Sequence, residues 1–124
     1  MEMIKFGADH VDNLVSQDPS RLDRLPFGAI LVDRVGRILK YNMYESALAN
    51  RPPNEVLGKN FFNDVAPCTK GHAFQGRFQQ GLAQGSLNTM FEYAFDYKMT
   101  PAKVRVHMKS NAIDDGIWIF IKRL

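Results

Sequence analysis

The stretch Ile117-Trp118-Ile119-Phe120-Ile121 decides how this chain folds, because every side chain in it is apolar. Side chains of a β-strand alternate between the two faces of its sheet. A strand that is apolar on both faces therefore belongs in the middle of a sheet that is covered on both sides. The turn signal Asp115-Gly116 precedes it. The chain must supply neighbouring strands for this one and further segments to cover each face.

Four other segments show strand patterns. Thr89–Tyr97 places aromatic side chains on one face, and 103–109 alternates apolar residues with charged or polar ones. Met99-Thr100-Pro101 interrupts the pattern between these two strands. Nearer the N-terminus, Gly28–Val32 and Ile38–Tyr41 are short apolar runs separated by turn chemistry, which predicts a hairpin.

Helices are predicted around these strands. Asn42 can cap a helix from Met43 to about Asn50, and Asn54 can start one more turn. Apolar residues at i, i+4 and i+8 predict a helix from Phe74 that ends at Gly85. The segment Gly58–Ala73 between them is predicted to be an irregular loop, and residues 8–24 to form two short helical pieces.

This order predicts an α+β fold, an antiparallel five-stranded sheet with helical connections and short N-terminal helices. We expect residues 1–25 to form an N-terminal helical cap on the sheet face that the later helices leave open. Residues 26–124 then form the core of a single domain.

Composition narrows the class of protein. The 124 residues are 45% hydrophobic and 23% charged, as in an ordinary globular domain. The net charge of +3 is spread without a basic block, so we expect no nucleic-acid partner. No apolar run approaches the roughly 20 residues of a membrane span, and residues 1–20 are too acidic for a signal peptide. We expect a soluble, cytoplasmic monomer.

The single cysteine, Cys68, lies in the stretch Asp64–Thr69 of the predicted loop. Pro67 fixes its own φ and biases Ala66 toward an extended conformation. Considered alone, such a cysteine is more often a small buried hydrophobe than a reactive thiol. A thiol nucleophile with His72 as its base is only weakly indicated, and no metal-ligand spacing is present.

Two further residues are ambiguous from spacing alone. Asn42 followed three residues later by Glu45 predicts a capping box, in which the carboxylate returns to the Asn42 amide. Tyr41 at the end of a strand is ordinarily a half-buried aromatic residue. Arg51 is by default a solvated loop charge, and His107 is by default a buried histidine with its hydrogen bonds satisfied.

Several long stretches nevertheless indicate one family. On these stretches the chain resembles, from Met1 to Leu124, the photoactive yellow proteins, a family of blue-light receptors with the PAS fold. The stretches are Gly58–Phe62, Asp64–Thr69, Leu87–Tyr93, Phe95–Tyr97, Met99–Pro101, Val106–Lys109 and Lys122-Arg123.

The resemblance implies a covalent chromophore, 4-hydroxycinnamic (p-coumaric) acid, held as a thioester by Cys68. It implies that Tyr41 and Glu45 donate hydrogen bonds to an ionised phenol, which requires a protonated Glu45 with a raised pKa. It also places Arg51 over the pocket and makes the Cys68 backbone N–H a donor to the chromophore carbonyl.

Other positions match the chromophore pocket of the family through the resemblance alone. They are Phe61, Val65, Ala66, Pro67, Thr69, Phe95, Tyr97 and Met99. Ala49 replaces a threonine of the family's well-known form, whose hydroxyl is linked to the hydrogen bonds of the phenolate. Tyr41 is therefore expected to lose an orienting partner. Tyr44, Ser46 and Asn50 also depart from that form, so photocycle rates do not carry over.

The implied function is that of a photoreceptor and not of an enzyme. Light drives trans/cis isomerisation of the chromophore, Glu45 passes its proton to the phenolate, and the N-terminal cap loosens to signal to an unknown downstream protein. Two alternatives stay open: a PAS module that binds a ligand or partner without light chemistry, and a cysteine-dependent acyl-transfer enzyme. A flavin-binding PAS relative is disfavoured, since nothing around Cys68 resembles its cysteine-containing helix.

Overall fold

A computed structural model gives the fold of the chain. It describes residues 22–23, 25–49, 52–66, 69, 71–85, 87–95, 102–110 and 116–124. The predicted N-terminal helical pieces lie almost wholly outside these residues. The division into a cap over 1–25 and a core over 26–124 therefore stays a prediction.

Five strands form one antiparallel sheet in the order β2-β1-β5-β4-β3. Their bounds are β1 Gly28–Val32, β2 Ile38–Tyr41, β3 Asn88–Phe95, β4 Ala102–Ser110 and β5 Ile117–Arg123. The apolar stretch Ile117–Ile121 lies in the middle strand, β5, which pairs with β1 on one side and β4 on the other. Its residues from Ile117 to Ile121 are all buried, so the prediction of a central strand is confirmed.

Three α-helices belong to the described chain: α1 Met43–Ala49, α2 Pro53–Val56 and α3 Arg77–Gln84. The helix predicted from Phe74 begins as a wider, π-helical turn over His72–Gly76 and continues as α3. It ends at Gly85, whose φ of 87° is in the left-handed region that favours glycine.

The predicted irregular loop over Gly58–Ala73 is wrong in its first half. Phe61–Val65 forms a π-helical turn in which the Ala66 N–H donates to the Phe61 carbonyl at 2.8 Å. Asn60 starts this turn because its side-chain oxygen accepts from two backbone N–H groups, those of Phe62 and Asn63, at 3.0 Å each. Hydrophobic spacing does not reveal a turn of this width.

The two faces of the sheet carry separate apolar cores. The helix face packs against the π-helical turns and α3, and it includes Ile30, Val32, Val104, Val106, Met108, Ile117, Ile119 and Ile121. The outer face packs against the segment just before β1, and its cluster is Leu25, Phe27, Ala29, Leu31, Trp118 and Phe120. The alternation predicted for 103–109 is confirmed, except that His107 is also buried, on the outer face.

Strand β2 contains a bulge that sets the direction of its last side chain. Val32 lies opposite Ile38, but the preceding residue of β1 lies opposite Lys40, so Leu39 is an extra residue in the pairing. Because side chains alternate along a strand, one extra residue shifts every later side chain to the other face. Tyr41 therefore lies on the helix face together with Ile38.

No helix in the described ranges is long and apolar enough to cross a membrane.

Candidate functional site

Helix α1 begins at Asn42, whose side-chain oxygen accepts from the Glu45 N–H at 3.0 Å. This is one half of the predicted capping box. The other half is wrong, because the Asn42 N–H donates instead to the Ala29 carbonyl on β1, at 3.1 Å. The β1 carbonyl takes the place of the carboxylate, so the Glu45 side chain is not required at the helix start.

The Glu45 carboxyl lies in the interior instead. The residue is only 8% exposed, and its Oε2 has no hydrogen-bond partner in the part of the chain that the structure describes. The carboxyl rests against Gly28 at the start of β1, where an added Cβ would overlap Oε2. Glycine at this position makes room for the carboxyl on the helix face.

Burial changes the acid strength of Glu45. Loss of hydration raises the pKa of this carboxyl from 4.5 to about 7, while the positive charge of Arg123 acts in the opposite direction. The carboxyl is therefore largely protonated at mildly acidic pH and about half protonated near pH 7. A protonated carboxyl has an O–H that can be donated to an acceptor, which an ionised carboxylate lacks.

Tyr41 lies on the same face of the sheet as this carboxyl. The bulge at Leu39 places Tyr41 opposite Ile30, and the side chain is 7% exposed in the helix-face core. Gly28 lies two residues before Ile30 on the same face of β1, roughly 7 Å along the strand. The phenol of Tyr41 and the carboxyl of Glu45 thus belong to neighbouring positions of one face.

Aromatic and aliphatic side chains form the rest of this interior. Phe61 packs edge to face against Phe62 and lies tilted against Phe74, with ring centroids 5.2 and 5.7 Å apart. Val65 is partly buried against the same core, and Ala66 is buried within it. The surroundings are apolar, which is the condition that raises the pKa of a carboxyl.

The chain on either side of the predicted cysteine attachment point is anchored. Thr69 is fully buried, and both its N–H and its Oγ1 donate to the Ala66 carbonyl, at 2.9 and 2.7 Å. Cys68 lies between these two residues and outside the described ranges.

The sequence-predicted site residues fall into three groups. Those in or beside the helix-face interior are Tyr41, Glu45, Phe61, Val65, Ala66 and Thr69. Those known only by their place in α1 or β3 are Ala49 and Phe95. Those outside the described residues are Arg51, Pro67, Cys68, Tyr97 and Met99. Their contacts with a chromophore stay predictions.

The sequence did not predict the hydrogen bonds that Asn42 makes with residues distant along the chain. Its side-chain NH₂ donates to the carbonyls of Leu22 and Phe27 at 3.0 Å each, and its oxygen also accepts from the Ala29 N–H at 3.0 Å. Asp23 strengthens the connection by accepting from the Met43 N–H at 2.8 Å. Helix capping explained the asparagine locally, so nothing in the sequence pointed to these longer-range bonds.

Gly28 and Arg123 were missed as well. A glycine at the start of a strand signals close approach by another group, but it does not name that group. Arg123 at the end of β5 reads as an ordinary solvated charge in the sequence.

His107 is a further buried polar side chain, on the outer face of the sheet. Its Nε2 lies 2.7 Å from the Asn88 side-chain oxygen, so a hydrogen bond accounts for one of its two ring nitrogens. Across the described ranges, no three histidine, cysteine or acidic side chains are grouped so that they could hold a metal ion.

Comparisons with known sequences and structures show which proteins this chain is similar to. The sequence profile of the PAS fold matches residues 16–121. The chain is 53% identical over 125 residues to the photoactive yellow protein of Halochromatium salexigens and, to the same extent, to that of Rhodothalassium salexigens, over the full length of each. Its fold is similar to the photoactive yellow protein domain from the sensor histidine kinase Ppr of Rhodospirillum centenum. That domain has a TM-score of 0.86 and 41% identity, over 90% of this chain and 99% of the other.

Proposed function

Because this chain belongs to the photoactive yellow proteins, PAS-fold photoreceptors that are not enzymes, we propose that it senses blue light through p-coumaric acid bound to Cys68. The observation that carries the proposal is the buried Glu45 carboxyl, with an unpartnered Oε2 among the described residues, on the same sheet face as Tyr41. Membership of this family contradicts the alternative of a cysteine-dependent acyl-transfer enzyme.

The residues present fit a phenolate ligand. An anion in an apolar interior needs short hydrogen bonds from charged or strongly polarised donors to offset its lost hydration. Protonated Glu45 and the Tyr41 hydroxyl supply two such donors, and the raised pKa of Glu45 keeps its proton in place. Phe61 and Val65 supply apolar walls. An acceptor placed at this point would also satisfy the free Glu45 oxygen.

Attachment of the chromophore is assigned to Cys68 by the resemblance. The thiolate forms a bond from Sγ to the carbonyl carbon of an activated p-coumaroyl donor, and the leaving group of that donor departs with the electron pair. Ala66 and Thr69, which flank the Pro67-Cys68 dipeptide in the sequence, are both buried.

The proton on Glu45 is the part of the protein that moves in response to light. When bound, the chromophore supplies an ionised phenol and a double bond that isomerises from trans to cis on absorbing blue light. Glu45 holds its proton in the dark and releases it toward the ring oxygen afterwards. The carboxylate left behind in an apolar interior is unfavourable, which drives the surrounding structure to rearrange.

We assign the output to the N-terminal cap. The Asn42 side chain joins the Glu45 N–H to the carbonyls of Leu22 and Phe27, so a disturbance at Glu45 acts directly on the chain that leads into residues 1–25. Local unfolding of a segment at the end of the chain requires less free energy than unfolding of the core. Under continuous blue light, hydrogen exchange in residues 1–25 should rise; an unchanged exchange rate there would contradict this assignment.

A downstream signalling protein is part of the proposal. The photoactive yellow protein domain of Rhodospirillum centenum belongs to a sensor histidine kinase. We infer that this chain likewise passes its signal to a signalling protein, and that it does so as a monomer in the cytoplasm.

Reconstitution tests the proposal. The purified chain is mixed with activated p-coumaric acid, its visible spectrum is recorded, and recovery is followed after a blue flash. We expect a yellow band that bleaches and returns, and that is absent from Cys68→Ala. A colourless product would instead favour a PAS module that binds a different ligand or partner. A bound chromophore that absorbs only in the near ultraviolet would show that the Tyr41–Glu45 donors do not hold a phenolate.

A further inference from the structure

The lysine and arginine side chains of the sheet are unevenly divided between its two faces. Strand pairing places most of them on the outer face, the side of Trp118 and Phe120. These are Lys40, Lys103, Arg105, Lys109 and Lys122. Within the five described strands, Arg123 is the one such residue on the helix face, opposite Val104. The face that holds Glu45 thus has a single strand cation.

Arg123 is also close to Glu45 along the sheet. The Glu45 carboxyl rests on Gly28, and Gly28 lies directly opposite Ile121 on β5. Arg123 follows two residues later on the same face, roughly 7 Å along the strand. An arginine side chain spans that distance, and its charge acts on Glu45 to favour the ionised carboxylate.

Few other ionisable groups of the described chain face this carboxyl. Strand β1 presents Gly28 and Ile30 on this face, neither of which ionises. Strand β2 presents the Tyr41 phenol, and β5 presents Arg123. Arg123 is exposed, so water and salt partly screen its charge.

We propose that Arg123 is the countercharge that stabilises the Glu45 carboxylate after the proton has moved to the ring oxygen, and that it thereby sets how readily Glu45 gives the proton up. The role in the light response rests on the proposed function. The electrostatic coupling between the two residues does not, because both belong to the chain itself.

The first experiment therefore uses the full chain without chromophore. Glu45 is titrated by carboxyl ¹³C NMR in wild type, Arg123→Gln, Arg123→Lys and Lys122→Gln. Lys122 is the matched control, because Lys122→Gln removes the same charge from the neighbouring residue, whose side chain lies on the opposite face of the sheet.

Arg123→Gln should raise the pKa of Glu45 by about half a pH unit at low salt, which is less than an unscreened pair would give. Arg123→Lys should restore most of the difference, Lys122→Gln should cause none, and high salt should shrink it.

The second experiment uses the same variants reconstituted with p-coumaric acid. Arg123→Gln should slow the loss of the Glu45 proton after a flash about three-fold, the rate equivalent of half a pH unit, while Lys122→Gln should match wild type. An equal response to both substitutions, or none to Arg123→Gln, would overturn the proposal. A colourless reconstituted protein would count against the proposed function alone, since the titration without chromophore still decides on Arg123.

Discussion

Asn42 and Glu45 are buried polar side chains three residues apart at the start of one helix, and the fold treats them in opposite ways. The Asn42 side chain makes hydrogen bonds with the Ala29 and Glu45 N–H groups and with the carbonyls of Leu22 and Phe27. The Glu45 carboxyl has an oxygen without a partner in the described chain. Asn42 connects separate segments of the fold, whereas Glu45 has an oxygen that can still form a hydrogen bond.

The difference separates a structural polar residue from a functional one. A buried polar group with all its bonds made adds stability and specificity. A buried carboxyl with an unmade bond costs stability, and proteins retain such costs mainly where function uses them. The comparison predicts that substitutions at Asn42 act on folding and that substitutions around Glu45 act on proton chemistry.

The largest expected effect is on folding, from Asn42→Ala. The substitution removes partners from four backbone groups, and at about 1 kcal/mol or more for each it should lower the free energy of unfolding by about 4 kcal/mol. Urea unfolding of the purified chain measures it. Asn60→Ala is the control, since that asparagine makes similar bonds in a more exposed turn. A loss at Asn42 no greater than at Asn60 would contradict the structural role assigned to Asn42.

The next effect is a dependence of stability on pH that comes from Glu45. Its pKa in the folded chain, about 7, is above the unfolded value of 4.5. The folded state therefore binds more protons between these values, and stability falls as pH rises from about 4.5 to 7. The shift corresponds to roughly 3 kcal/mol. Unfolding of the chromophore-free chain at pH 5 and pH 8 measures it, and Glu45→Gln should lack this component. An equal pH dependence in the two proteins would contradict the burial of an ionisable carboxyl.

A smaller effect is expected from Gly28→Ala. The added Cβ overlaps the Glu45 carboxyl, so we expect a loss of about 2 kcal/mol, as for other overpacked positions, and a displaced carboxyl. Gly71→Ala is the matched control, because a Cβ there meets open space. Combining Gly28→Ala with Glu45→Ala should recover part of the loss. If the double variant recovers nothing, the clash is not with Glu45.

The smallest effect is expected from Ala49→Thr in the reconstituted protein. The new hydroxyl should give Tyr41 a further hydrogen-bond partner, which shifts the visible band modestly. One hydrogen bond of about 1 kcal/mol changes the recovery rate by less than about ten-fold. Absorption spectra and flash recovery measure both quantities. A variant identical to wild type in colour and in recovery would refute the expected role of this position.

Much of the fold follows from the sequence because its strands carry clear patterns. The apolar run of β5 identified the central strand, and the hairpin of β1 and β2, the helix start at Asn42 and the helix end at Gly85 were confirmed. These features depend on neighbouring residues. The π-helical turn at Phe61–Val65 and the bonds from Asn42 to Leu22 depend on tertiary contacts, which local patterns do not encode.

The site was harder to predict from the residues alone. Spacing favoured Glu45 as a capping residue, and only the structure shows that a β1 carbonyl replaces its carboxylate at the helix start. A lone cysteine such as Cys68 has no pattern that marks it as an attachment point. Its proposed role came from the resemblance, and so did the roles of Arg51, Tyr97 and Met99.

The extra residue at Leu39 separates the spacing of residues in β2 from the faces that they occupy. Ile38 and Tyr41 are three residues apart, which in a regular strand puts two side chains on opposite faces, and the bulge brings both to the helix face. Loss of Leu39 would restore regular alternation and leave Tyr41 opposite Ile30, so a PAS sheet that is one residue shorter here still presents the tyrosine to its interior. Relatives are therefore best aligned in this strand by the tyrosine and its partner on β1 and not by residue count.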